Sequence, residues 1–287
     1  MDLNADGNND ILSGSYSRMG GSMAGLFQVL WGNPDGTFKK AETLNGTDGE
    51  PLIIPSSSDG PNAFIDAICT RPTAVDWDSD GDLDLVVGNF AGKFFLFDGE
   101  GKGKFSPKCS AIKAGDEPLK IAGHHSDPFL IDWDKDGDLD VLSGSSEGGV
   151  QIAENTAGAK KTPVLKQFKP LIKVEGEMVT ECRPSEVKRP AGSTRVWAAD
   201  MNGDGKLDVL VGDSINLVSP AKGVSEQDFK KRYAEWNEKS AKLFAPQSQV
   251  TEKDQEEHNR KISAHYEARG EFMEEDRTGF VWVYLQK

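Results

Sequence analysis

Cysteine pairs and long apolar runs are scarce in this 287-residue chain, and each scarcity excludes a class of protein. There are three cysteines and no Cys-x-x-Cys pair, which argues against a zinc site. For Cys69, Cys109 and Cys182, one disulfide with one thiol left over and three reduced thiols both remain open. No apolar run approaches the roughly 18 residues that indicate a transmembrane helix, so no membrane span is expected.

Positive charge is also in deficit. The chain has 33 Lys and Arg against 47 Asp and Glu, which gives a formal net charge of −14. Nucleic-acid binding normally requires a basic footprint, so no nucleic-acid partner is expected. The 31 glycines indicate many turns, and the length is sufficient for one large domain or two ordinary ones with a sizeable core.

The dominant feature of the sequence is an acidic loop that occurs four times. We call these segments loop 1 (residues 2–14), loop 2 (76–88), loop 3 (132–144) and loop 4 (200–212). Each begins with Asp, places Asp or Asn at alternate positions, turns at a glycine, and enters an apolar run that a second glycine closes. Together they hold 16 carboxylates. Four matches with the same internal spacing constitute an internal repeat.

The alternation of carboxylates on a tight glycine-containing loop predicts a cation site. Calcium takes six to eight oxygen ligands, whereas zinc prefers Cys or His, which the loops lack. Positions 1, 3, 5 and 9 of each loop are the expected side-chain ligands, and position 7 is expected to contribute its backbone carbonyl. The predicted metal residues are Asp2, Asn4, Asp6, Asn8 and Asp10; Asp76, Asp78, Asp80, Asp82 and Asp84; Asp132, Asp134, Asp136, Asp138 and Asp140; and Asp200, Asn202, Asp204, Lys206 and Asp208. Up to four structural Ca²⁺ ions are therefore expected. The alternative is a solvated acidic turn that binds no metal. The occurrence of four loops with the same spacing disfavours this alternative.

An EF-hand is excluded as the best interpretation of these loops. Its bidentate Glu would lie at position 12, where this chain has Ser13, Val87, Ser143 and Val211. The loops also lead into β-type residues and not into helices.

The segments between the loops read as short strands with glycine-rich hairpin turns. Strands are predicted at 10–15, 26–31, 73–77, 83–88, 93–97, 129–133, 139–144, 150–154, 195–199, 207–213 and 279–285, with turns at 19–22, 33–36 and 98–103. One loop per unit of about four short strands favours an all-β fold, a β-propeller of four-stranded blades. The glycines of 98–103 are interpreted as a hairpin turn and not as a phosphate cradle, because no helix follows them.

Residues 224–270 break this pattern and read as two helices. Phe229, Tyr233 and Trp236 lie at helical spacing, Pro246 is expected to end the first helix, and Thr251 is expected to cap a second that Gly270 stops. The predicted organisation is propeller blades at 1–220, a helical hairpin inserted into the last blade at 221–275, and a returning strand of that blade at 276–287.

The repeat units resemble FG-GAP/VCBS repeats, the calcium-loop blades of integrin-like β-propellers. The resemblance is carried by the four D-x-[DN]-x-D-G-x-x-D-[ILV] loops, the closing glycines, and the hairpin turns before Phe38 and Phe105. It covers about residues 1–220 and 279–287. Because such propellers usually close with about seven blades, we expect the four units to be an incomplete part of a larger ring. Loop 1 has only Met1 before it, so the chain is expected to be truncated there, with any signal peptide outside it.

This resemblance favours a secreted, extracellular or periplasmic, non-enzymatic scaffold that binds a protein or carbohydrate ligand. No catalytic residue and no organic cofactor is predicted. The alternative is a polysaccharide lyase or hydrolase, for which His124 and His125 are the best acid–base candidates, ahead of His258 and His265. A third hypothesis makes Phe229, Tyr233 and Trp236 an exposed anchor for a partner protein, although packing onto the propeller is favoured.

Overall fold

The structure, a computed structural model, describes residues 1–16, 26–55, 63–176, 179–244 and 252–287, and for 63–64 and 252–255 the backbone alone. The predicted turn at 19–22, Pro246 and Thr251 lie outside these residues. Within them, the chain forms two compact units. The first comprises 1–178, 190–213 and 280–287, and the second comprises 179–189 and 214–279. The predicted domain boundaries at residues 220 and 275 stay a prediction.

The first two sheets of the first unit follow each other along the chain. The first sheet has three antiparallel strands, β1–β3, and the second has four, β4–β7. Their bounds are Ile11–Ser13, Gln28–Leu30, Glu42–Thr43, Arg71–Val75, Asp84–Gly88, Phe94–Gly99 and Phe105–Ala111. Each strand pairs with the next along the chain, the up-and-down order of a propeller blade.

A third sheet of four antiparallel strands, β10–β13, repeats the plan of the second after a small hairpin, β8–β9. The bounds of β8 to β13 are Lys113–Ala114, Glu117–Pro118, Pro128–Ile131, Asp140–Ser143, Val150–Ala153 and Lys169–Ile172. Two short 3-10 helices lie at Ala63–Ala67 and Pro184–Glu186. The second and third sheets therefore have the four strands per blade that the sequence predicts.

The remaining elements form the fourth sheet and a pair of helices. They are β14 (Glu181–Cys182), β15 (Gly192–Ala199), β16 (Asp208–Pro220), α1 (Glu226–Leu243), α2 (Glu252–Arg269), β17 (Met273–Thr278) and β18 (Val281–Tyr284). The first half of β16 pairs with β18 and belongs to the first unit. Its second half pairs with β14 and β17 in the second unit.

Successive sheets of the first unit stack face to face through alternating side chains. On β5, Leu85 and Val87 pack with Phe27 of the first sheet, whereas Val86 packs with residues of the third sheet such as Val141. Neighbouring Leu142 on β11 packs toward the fourth sheet. Successive residues of a strand point to opposite faces, so one apolar run serves two interfaces. These four sheets in β-propeller arrangement confirm the predicted all-β class.

The second unit contains the predicted helical insertion. Helix α1 begins after Ser225, whose side chain accepts a hydrogen bond from the N–H of Asp228 at 3.1 Å. Phe229 and Trp236 of α1 are buried and pack with Phe272 and Met273. The hypothesis of an exposed aromatic anchor is therefore wrong for these two side chains, because they form the core of their own unit.

Two details of the predicted chain course also need correction. β16 does not end at residue 213 but continues to Pro220, and β17 already starts at Met273, inside the stretch predicted to be helical insertion. The sequence did not predict β17 because the strand lacks apolar alternation. Four of its six residues, Glu274 to Arg277, are exposed and charged.

Candidate functional site: the repeated acidic loops

Each of loops 2, 3 and 4 is the turn between the first strand of its sheet and the next. Position 1 directly follows β4, β10 or β15, and position 9 is the first residue of β5, β11 or β16. Loop 1 leads into β1, which starts at Ile11, one residue after position 9. The glycine at position 6 has φ of +90°, +98°, +93° and +82° in loops 1 to 4, a left-handed conformation that favours glycine.

The aspartate at position 9 is buried in all four loops and fixes the loop to its own sheet. One carboxylate oxygen accepts the N–H of position 2, and the other accepts an N–H near the end of a more distant strand. The donors are Leu3 and Gly32 to Asp10, Trp77 and Gly99 to Asp84, Trp133 and Asn155 to Asp140, and Met201 and Gln286 to Asp208, at 2.6–3.0 Å. Both oxygens of each position 9 aspartate therefore accept structural hydrogen bonds that need no bound cation.

Positions 3 and 5 shape the loop through short-range hydrogen bonds. In every loop the position 3 side-chain oxygen accepts the N–H of position 5 at 2.9–3.3 Å; the acceptors are Asn4, Asp78, Asp134 and Asn202. The position 5 carboxylate accepts the N–H of position 7 at 2.8–3.1 Å; the acceptors are Asp6, Asp80, Asp136 and Asp204. These turns hold the alternate side chains on the same side of the loop.

Loops 2 and 3 each bring three carboxylates close together. Oxygens of Asp76, Asp78 and Asp84 lie within 4.8 Å of one another, and so do oxygens of Asp132, Asp134 and Asp136. Asp76 Oδ1 is buried and has no hydrogen-bond partner among the described residues. A buried, unpaired carboxylate oxygen is costly, and a cation between these groups would satisfy it. The donor set therefore fits a hard divalent cation.

Loops 1 and 4 share with loop 3 a position 1 carboxylate that accepts two backbone N–H groups, as Asp132 does from Asp136 and Gly137 at 3.1 Å each. Asp2 accepts the N–H groups of Asp6 and Gly7 at 3.0 and 2.8 Å. Asp200 accepts those of Asp204 and Gly205 at 3.1 and 2.8 Å. Within the described chain, neither loop forms a three-carboxylate group, since position 3 is Asn in both.

Position 7 varies in its side-chain environment. Asp138 accepts the N–H of Gly158 at 2.6 Å, and its Oδ1 is buried with no partner in the described structure. Lys206 is exposed. Asn8 donates its side-chain amide to Asp6 at 2.8 Å. The role of position 7 as a carbonyl ligand stays a prediction, as do the ligand roles of positions 1, 3, 5 and 9.

Burial and hydrogen bonding shift the pKa values of these carboxylates in opposite directions. Burial raises the pKa of Asp84 and of Asp140, although two backbone N–H groups counteract it in each case. Burial also raises the pKa of Asp138. The exposed Asp6 and Asp200 have lowered pKa values, because the N–H groups of Asn8 and of Gly205, respectively, stabilise the charged form. The buried members are the ones that a bound cation would help to ionise.

The closing glycines at position 13 lie where consecutive sheets meet. A Cβ on Gly14, Gly88 or Gly144 would lie 1.9, 2.4 or 2.1 Å from the carbonyl oxygen of Thr70, Ser126 or Thr194. Thr70 and Ser126 lie just before β4 and β10, and Thr194 lies within β15. The hydroxyls of those three residues accept the N–H of Ser15, Asn89 and Ser145 at 2.8–3.0 Å. This recurrent contact between blades explains why glycine ends the first three units, a role that the sequence pattern alone did not disclose.

The candidate acid–base histidines lie next to Phe90. The His124 ring stacks on Phe90 with centroids 5.4 Å apart, and the His125 ring makes an edge contact at 4.7 Å. Burial lowers the pKa of His125, assisted by Arg71 and Arg195. His258 and His265 both lie on α2, and His265 stacks on Trp236 at 4.5 Å. The three cysteines are free thiols.

Comparison with known proteins matches the repeat region. A family model described as the FG-GAP-like repeat matches residues 76–143 and 132–211, so that each matched segment runs from one acidic loop into the next. A search of curated proteins gave no match. Among the described residues, no helix is both long and apolar enough to cross a membrane.

Proposed function

The chain is an FG-GAP repeat protein of the β-propeller type, and we propose that it is a secreted, calcium-binding scaffold that binds a protein or carbohydrate ligand without catalysing a reaction. The calcium ions are structural and occupy the repeat loops, up to four in number. The observation that carries the proposal is the convergence of Asp76, Asp78 and Asp84, with Asp76 Oδ1 buried and unpartnered among the described residues.

Calcium is preferred over other cations because of the ligand chemistry. Positions 1, 3, 5 and 9 offer only carboxylate and amide oxygens, and a position 7 carbonyl adds another. Magnesium keeps more of its own water, and zinc selects nitrogen and sulfur ligands. Bound calcium would offset the repulsion between carboxylates that lie within 4.8 Å of one another.

The loops are expected to differ in affinity. Loops 2 and 3 carry five carboxylates each, whereas loops 1 and 4 carry three. Ligand charge is one determinant of calcium affinity. Loops 2 and 3 should therefore fill first, and loops 1 and 4 should fill at higher calcium.

Extracellular calcium modules have dissociation constants of about 10⁻⁴–10⁻³ M, which suit calcium outside the cell. This is the argument for a secreted location. A scaffold role follows from the use of the carboxylates, since those at position 9 are engaged in holding strands and are not free to act on a substrate.

Equilibrium dialysis against calcium tests the metal assignment. The wild-type chain should bind more than two ions, and Asp78→Asn should weaken one of the tighter sites by about tenfold. Asp98→Asn, outside the loops, is the control. Equal calcium binding by the wild type and by a variant with Asn at Asp76, Asp78, Asp132 and Asp134 would contradict the assignment.

A glycan-array experiment paired with a lyase absorbance assay separates the scaffold from the alternative polysaccharide-active enzyme. The scaffold predicts binding without formation of unsaturated sugar products. If the wild-type chain forms such products and His124→Ala abolishes their formation, the chain is an enzyme and not a scaffold.

A further inference from the structure

Three consecutive sheets place charged residues at equivalent positions, directly after the hydroxyl residues that contact the preceding sheet. These are Arg71, Asp127 and Arg195, which follow Thr70, Ser126 and Thr194. Although they are more than 50 residues apart in sequence, their side chains converge. Arg71 Nε lies 3.8 Å from Asp127 Oδ1, and Arg195 Nε lies 3.2 Å from Asp127 Oδ2. We call these three residues the arginine cluster.

The arginine cluster has more hydrogen-bond donors than the protein uses. Arg71 Nη1 is 3.5 Å from the Ser126 carbonyl, and Arg195 Nη1 donates to the Thr194 carbonyl at 2.8 Å. No described residue accepts from the Nη2 group of either arginine. The side chains of Arg71 and Arg195 are 24% and 39% exposed, so the cluster is open to solvent.

The charge of the cluster is unusual for this chain. Two guanidinium groups share one carboxylate, which leaves one positive charge uncompensated in a protein whose formal net charge is −14. The guanidinium fork matches an oxyanion, and a carboxylate in particular, through paired N–H bonds. An accessible cluster of this kind is suited to a singly charged anionic group.

An exposed aromatic ring lies next to the cluster on the same strand. β15 alternates buried residues with Ser193, Arg195 and Trp197, so Arg195 and Trp197 share a face about 7 Å apart along the strand. Trp197 is 60% exposed, an unusual state for a large aromatic side chain. Phe129 supports it with ring centroids 4.9 Å apart.

We propose that Arg71, Arg195 and Trp197 form a binding site for a carboxylate-bearing sugar of an acidic glycan. The apolar face of the sugar ring stacks on the Trp197 indole, and its carboxylate accepts N–H bonds from the two guanidinium groups. Asp127 is a positioning residue that holds both arginines in place. This inference rests on the proposed scaffold function and gives it a ligand class, but it involves none of the calcium-loop residues.

The test titrates trigalacturonate into the intact chain at saturating calcium and follows binding by calorimetry and by Trp fluorescence. Neutral galactotriose and inorganic phosphate are the comparison probes. The expected result is saturable binding of trigalacturonate and at least tenfold weaker binding of galactotriose. Arg195→Gln should weaken trigalacturonate at least tenfold, and Arg277→Gln, an exposed arginine on β17, should leave it unchanged.

The Trp197→Ala variant distinguishes a site for a sugar from a site for any anion. It removes only an exposed ring, so the fold should persist. It should weaken trigalacturonate at least fivefold and leave phosphate unaffected. Binding of phosphate but not of trigalacturonate, or trigalacturonate binding that both variants retain, would overturn the proposal. Because calcium binding is measured separately on the same samples, a failure here does not imply a failure of the calcium assignment.

Discussion

Gly144 lies against the carbonyl oxygen of Thr194, so closely that a Cβ at position 144 would be 2.1 Å from it. The contact joins the third sheet to the fourth, and Gly14 and Gly88 make the same contact at the two preceding interfaces. The closing glycine is therefore a packing residue between blades, and the acidic residues earlier in the unit shape the turn within a blade.

Gly144→Ala should lower the free energy of unfolding by at least about 2 kcal/mol, because backbone atoms would have to move apart to admit a methyl group. Gly212→Ala is the matched control. Gly212 closes loop 4, and a Cβ there would meet only the Arg195 Cβ at 4.0 Å. Chemical denaturation of both variants measures the difference, and equal stabilities would refute the packing role.

Asp140→Asn should destabilise the chain by about 1–3 kcal/mol even in the presence of a chelator. Asp140 is buried and accepts one N–H bond on each oxygen, from Trp133 and Asn155. An Asn side chain keeps only one acceptor oxygen, so one of these N–H groups would face an amide nitrogen that cannot accept it. The exposed Asp136→Asn should cost much less without metal. Denaturation in chelator tests this, and the prediction fails if the two variants are equally stable under those conditions.

The pH dependence of the contribution that Asp84 and Asp140 make to stability should change sign with calcium. Burial raises the folded-state pKa of Asp84 and Asp140, so without metal these groups contribute stability below the ordinary aspartate pKa of about 4, and this is lost as pH rises through the raised pKa. Calcium requires the ionised form, so its stabilisation should grow over the same interval. Melting temperatures from pH 4 to 7, with calcium and with chelator, should diverge as pH rises. Parallel curves would be inconsistent with buried carboxylates as ligands.

The cysteine thiols should react slowly in the folded protein. Burial raises the pKa of Cys109 to about 12 and also raises the pKa values of Cys69 and Cys182. The thiolate is the reactive form, so iodoacetamide at pH 8 should modify the folded chain much more slowly than the chain in guanidinium. Mass spectrometry should find three modified cysteines after unfolding without a reductant. Fewer than three would indicate a disulfide.

The sequence was sufficient to predict the blades and the loops, because both depend on local spacing. The alternation of Asp with turn residues between 76 and 84, followed by Leu85 to Val87, specifies a turn and a buried strand without reference to the rest of the chain. The strands of the second and third sheets consequently lie within a few residues of their predicted positions.

The features that sequence reasoning missed depend on contacts between distant residues. Asp127 meets Arg71 and Arg195 only because three sheets stack, and no short motif contains the three residues. In the same way, the second oxygen of Asp140 accepts the N–H of Asn155, which lies 15 residues further along the chain after β12, so its structural role cannot be read from the loop alone. The exposed strand β17 lacked the apolar pattern by which strands are identified.

Calcium in the repeat loops should stabilise the blades, and a thermal melt in 10 mM calcium compared with a melt in chelator measures this stabilisation. With dissociation constants of about 10⁻⁴–10⁻³ M, each occupied loop should add roughly 1.4–2.7 kcal/mol. The melting temperature of the wild-type chain should be several degrees higher in calcium, with most of the increase lost in a variant with Asn at Asp76, Asp78, Asp132 and Asp134. An unchanged melting temperature in the wild-type chain would contradict this stabilisation.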